Sequence, residues 1–190
     1  MLVGILALLG YGSRIGEGKP DPDVLYRWST ALGGFIQDAI ILALVLAIAR
    51  GSFSLLALRR PSSLKRAAVY VGCAIAAIYL FESIYASVVD PGNEQGLTPS
   101  HWEPAHAAVY IVNSVIICTW VPLVEELTYR GVGYSLLERF GRWPAVLGVG
   151  LAFGCALAWI RSRTDSVYPG MVLHALFNAI ALVAAVTIGS

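Results

Sequence analysis

Two short motifs carry nearly all of the chemistry this chain could do. In EELTYR, Glu125 and Glu126 end a strongly apolar stretch and Arg130 follows; in HALFN, His174 and Asn178 lie inside another apolar stretch. On a helix Glu126 and Arg130 share a face, whereas Glu125 points roughly 100° away from Glu126. The two acids therefore need not do the same work. Arg130 can neutralise and orient Glu126, leaving Glu125 to project into a cavity and take a proton from water. His174 and Asn178 also fall one helical turn apart, so imidazole and carboxamide leave one face as paired donors able to stabilise an oxyanion. Pro122, just upstream of the acids, removes a backbone hydrogen bond, which can bend the helix and open space and a free carbonyl.

The elements that must position these groups follow from composition. Of 190 residues, 57% are hydrophobic and 13% charged, against about a quarter charged in ordinary soluble domains. The expected fold is all-α: a polytopic transmembrane bundle of five to six membrane helices, forming one integral membrane domain over residues 1–190. Apolar segments at 31–49, 67–89, 105–124, 144–160 and 169–188 are each near the roughly 17 to 25 residues a spanning helix needs. Ionisable groups at that depth cost roughly 2.5 to 3.5 kcal/mol each and tend to face a bundle interior, which is why the two motifs mark a site. The run MLVGILALLG lacks a basic n-region and a small-residue cleavage site, so it is expected to be an interfacial or part-spanning helix and not a removed signal.

Loop charge orients the chain. RGSFSLLALRRPSSLKR carries Arg50, Arg59, Arg60, Lys65 and Arg66 without an acid, which places it on the cytoplasmic side. DPGNEQGLTPSHWEP carries Asp90, Glu94 and Glu103 without Lys or Arg, as an outer loop can. The glutamates then fall at the cytoplasmic end of 105–124. GVGYSLLERFGR reads as an amphipathic helix or turn on the inner surface, with Glu138, Arg139 and Arg142 solvated. A net charge of +1 gives no reason to expect a nucleic-acid partner. Cys73, Cys118 and Cys155 show no CxxC spacing and read as small packing residues. Trp102, Trp120, Trp143 and Tyr168 read as interface anchors.

EELTYR fits the EExxxR motif, and HALFN the HxxxN motif, of the CAAX prenyl protease and bacteriocin-processing family, which the chain resembles. These are intramembrane proteases that include the type II CAAX prenyl endopeptidase. VPLVEELTYRGVGYSLLERFG looks like that family's first motif helix and WIRSRTDSVYPGMVLHALFNA like its last, and LLALRRPSS resembles a short basic loop of bacterial members. The resemblance is good over about the last 90 residues, with a family-like catalytic core at 105–190. It implies a bacterial inner membrane location, glutamates toward the cytoplasm, and cleavage of a peptide or prenylated C-terminal segment. Carried over, Glu125 is the general base, Glu126 and Arg130 support it, and His174 with Asn178 stabilise the oxyanion. No cofactor is expected: without HExxH, one histidine and a few acids make a poor zinc site.

The chain departs from the family at one place. A further helix carrying FxxxH should lie between the motifs, its histidine helping the first glutamate to hold water. The nearest match is Phe153 with Leu157 in FGCAL, and leucine cannot hydrogen-bond. Charge parity agrees with a missing helix, because an outward 144–160 would put Arg161 and Arg163 outside. Three readings stand: an active endopeptidase, an impaired relative serving as a membrane binding or immunity-type protein, and, ranked last, a proton or ion path. His101 and His106 lie at the far end of 105–124, roughly 30 Å from Glu125 along a straight helix, and are expected to be solvated. Asp38 and Glu82, inside apolar segments, either line the same cavity, bond to a neighbouring helix or snorkel near a helix end.

Overall fold

Apolar residues on every face of a segment leave it no side to turn to water, and a lone helix of that kind is stable only in hydrocarbon. The computed structural model describes residues 23–88, 102–149 and 152–188. The run at 1–10, Asp90, Glu94, His101 and the side chain of Glu82 lie outside the described residues. Those described are all-α, without a strand: α1 is Trp28–Ala49, α2 Leu64–Val88, α3 Pro104–Phe140, α4 Arg142–Gly148, α5 Ala152–Thr164 and α6 Tyr168–Ile188. Helices α1, α2 and α3 are long and apolar enough to cross a membrane, and Tyr168–Ala184 within α6 is a shorter apolar helix. Leu32, Ile40, Ile48, Leu80 and Phe81 point away from the bundle, fully in keeping with a lipid-facing surface. The protein is an all-α membrane helix bundle.

Local chemistry sets the helix ends. Ser63 caps α2, its hydroxyl accepting from the Arg66 N–H at 3.3 Å. Pro104 opens α3, where a missing N–H costs nothing. Gly141, at φ 114, makes the turn into α4, a backbone conformation that a side chain would oppose.

The segment 144–160, expected to span, is divided between α4 and α5. The 13 residues of α5 rise only about 20 Å, short of the ~30 Å hydrocarbon core, and glycines at 148 and 154 weaken a continuous helix here. Helices α4 and α5 form a hairpin that returns to the end of the bundle holding the basic loop. There Arg59 bonds both the carboxylate and the backbone carbonyl of Asp165, and the Val167 N–H donates to Ala57 O at 3.3 Å. Arg161 reaches the same carboxylate at 2.9 Å and lies over the Tyr134 ring. Arg161 thus sits at the same end of the bundle as Arg59, joined to it through Asp165.

Trp120 is also placed differently from expectation. It stands well inside α3, stacked on Phe35 with centroids 4.8 Å apart, and is not an end-of-helix anchor. Trp102, Trp143 and Tyr168 are exposed near helix ends. Glu138, Arg139 and Arg142 are exposed as expected, while GVGYSLLERFGR as far as Phe140 is the last part of α3, with Gly131 tight against the Leu56 backbone.

Candidate active site

Helix α3 is wound loosely where it matters. It has two π-helical stretches, Ile116–Trp120 and Glu126–Gly133, and such bulges are common at functional sites because they redirect side chains. In the first stretch the Val121 N–H bonds Ile116 O, five residues back. Pro122 has no N–H to offer Ile117 O. That carbonyl is taken instead by Asn178, whose Nδ2 donates to it at 2.8 Å. Pro122 thus frees a carbonyl, and α6 uses it as an anchor point.

The second stretch begins at the acids and separates their environments. Glu126 is fully buried, and its Oε1 accepts from Arg130 Nη1 at 2.9 Å, with Arg130 only 4% exposed. The Glu125 side chain is 44% exposed. From α6, His174 comes down between them: Nε2 is 3.9 Å from Glu125 Oε2 and Nδ1 is 3.6 Å from Glu126 Oε1. Four predicted site residues, Glu125, Glu126, Arg130 and His174, are therefore together. Asn178 stands apart, engaged at Ile117, eight residues before Glu125, or about 12 Å of helix rise. His106 lies at the opposite end of α3, paired with Glu103.

Burying an ion pair between helices needs room, and two glycines supply it. A Cβ on Gly170 of α6 would collide with Glu126 Oε2 and stand 3.3 Å from its Cδ. On Gly154 of α5 it would stand 2.8 Å from Arg130 Nη2. Both glycines were missed by sequence reasoning, since small residues in apolar helices read as ordinary packing. Leu157 completes this wall, fully buried and 3.9 Å from the same Gly170 Cβ point that Glu126 occupies. The nearest sequence match to the missing histidine is thus an apolar group beside the ion pair. Among the described residues, no group of three or more His, Cys, Asp and Glu is arranged to hold a metal ion.

Long apolar helices enclosing two acids, an arginine and a histidine define an integral membrane protein with a polar centre between its helices. A family model described as type II CAAX prenyl endopeptidase Rce1-like matches residues 107–156, in agreement with the resemblance seen in the motifs. The matched segment holds Glu125, Glu126 and Arg130, and His174 lies beyond it. The matched family is one of endopeptidases, a class of peptide hydrolase. No curated protein and no solved structure matches the chain.

Proposed function

We propose that this protein is an intramembrane endopeptidase that cleaves a peptide or a prenylated C-terminal segment with a glutamate-activated water. The observation that carries the reading is the His174 ring lying against both acids, contributed by a helix distant from them in sequence. Glu125 takes one proton from water as the oxygen attacks the peptide carbonyl carbon. The resulting oxyanion accepts a hydrogen bond from His174, and collapse of the tetrahedral adduct breaks the C–N bond as Glu125 returns its proton to the leaving amine. Glu126, held by Arg130, faces His174 Nδ1 and fixes the ring. Asn178 holds α6, and with it His174, in register through Ile117. The basic loop with Arg59 and Arg60 orients the acids toward the cytoplasmic side of a bacterial inner membrane.

The test is hydrolysis of peptide and prenylated-peptide libraries by purified protein in micelles. Glu125→Gln and His174→Ala should each lower the rate by about 10²–10⁴-fold while insertion and helicity are kept, and undiminished turnover in either would defeat the reading. A second reading, an impaired binding protein, is favoured by Leu157, which puts an apolar group beside Glu126. Under it the wild type turns nothing over, and Leu157→His introduces activity.

A further inference from the structure

Helix α1 presents one seam to its neighbours: Ala31, Val45 and Ala49 are buried, Phe35 stacks on Trp120, and Leu42 packs in the cluster that holds Leu123 and Leu127. These positions, with Asp38, alternate in steps of four and three, the spacing of a continuous packing seam. Asp38 fills the step between Phe35 and Leu42, where α1 packs against Val121–Glu125. Phe35 against Trp120 on one side, and Leu42 in the cluster of Leu123 and Leu127 on the other, set this turn of α1 beside the turn of α3 that carries Glu125. Among the described residues neither oxygen of this half-buried carboxyl accepts a hydrogen bond. A carboxyl in an apolar seam is costly, and no protein donor offsets it here. Structure alone gives Asp38 nothing to do; the open side of Glu125 does.

We propose that Asp38 is a positioning residue of the hydrolytic centre, holding the attacking water jointly with Glu125. The inference rests on the endopeptidase reading. Water carries two O–H groups, and a base that accepts one leaves the molecule free to turn about that bond. A second acceptor on the facing helix fixes the lone pair toward the substrate carbonyl. In the step itself one proton passes to Glu125, the other stays on the oxygen that becomes the product carboxyl, and Asp38 neither gains nor loses one.

Asp38→Leu tests this, because it completes the apolar seam and should leave the melting temperature in micelles unchanged or higher. The expected result is a fall in kcat of about 10- to 100-fold with KM unchanged, and partial recovery in Asp38→Asn, which keeps an acceptor oxygen. A kcat within about twofold of wild type, with Glu125→Gln inactive, would overturn the role of Asp38 and leave the endopeptidase standing. Hydrolysis that survives Glu125→Gln would instead defeat the endopeptidase reading. A measurement independent of turnover is the Glu125 carboxylate infrared band, obtained by subtracting the Glu125→Gln spectrum. Its H2O-to-D2O shift should shrink in Asp38→Leu, and an unaltered shift overturns the shared water whatever the activity.

Discussion

Replacing Gly170 with alanine adds one methyl group at the most crowded point of the site. The new Cβ would collide with Glu126 Oε2 and lie 3.3 Å from Glu126 Cδ, with Leu157 Cδ2 at 3.9 Å behind. The carboxylate cannot simply swing aside, because its other oxygen is held by Arg130 at 2.9 Å and the residue is fully buried. Either α6 moves away from α3 or the ion pair is distorted. Overpacking of this kind costs about 1–3 kcal/mol, and the complete loss of a buried pair's geometry approaches ~3–5 kcal/mol. The expected destabilisation therefore falls between about 1 and 4 kcal/mol. Because His174 rides on the same helix, an outward shift of about 1 Å should also lower kcat by about 10²-fold. The assay is thermal unfolding in micelles together with peptide hydrolysis. Gly72→Ala is the control: nothing lies within 4 Å of its Cβ position on α2, so alanine there should gain up to about 1 kcal/mol of helix stability. Glu126→Asp, with a carboxylate one methylene shorter, should partly rescue Gly170→Ala. Strict additivity of the two substitutions, or a Gly170→Ala protein as stable and active as Gly72→Ala, would refute the reasoning.

Three other outcomes follow from the same contacts. Arg130→Met removes the counter-charge from fully buried Glu126 and should cost about 3–5 kcal/mol in thermal unfolding; the double variant Glu126→Gln with Arg130→Met should lose less, and equal losses would show that the pair is not coupled. Asn178→Leu leaves Ile117 O without its side-chain donor, for an expected loss of about 1–3 kcal/mol; hydrogen exchange should rise locally around 116–122, and unchanged protection there would contradict the anchoring role. Chelation with EDTA should leave the hydrolysis rate unchanged, since water is activated by Glu125; loss of activity that zinc restores would replace this mechanism with a metal-assisted one.

The sequence by itself determined whatever depends on spacing within one helix or on composition. Glu126 and Arg130 pair because residues four apart on a helix are neighbours, a relation that holds before any tertiary contact forms. Pro122 frees a carbonyl because it lacks an N–H in every fold. The membrane class follows from 57% hydrophobic residues, and the resemblance to a protease family from two motifs in order. Only the tertiary structure decided the relations between helices. It set His174 against both glutamates but sent Asn178 to Ile117, a distinction invisible to two residues on one helical face. It folded 144–160 into a hairpin, because glycine-weakened segments can turn back where a hydropathy window sees one span. It also gave Gly154 and Gly170 their meaning. A glycine leaves no side chain to read in the sequence, and the space it clears has value only when another helix brings a buried charge into it.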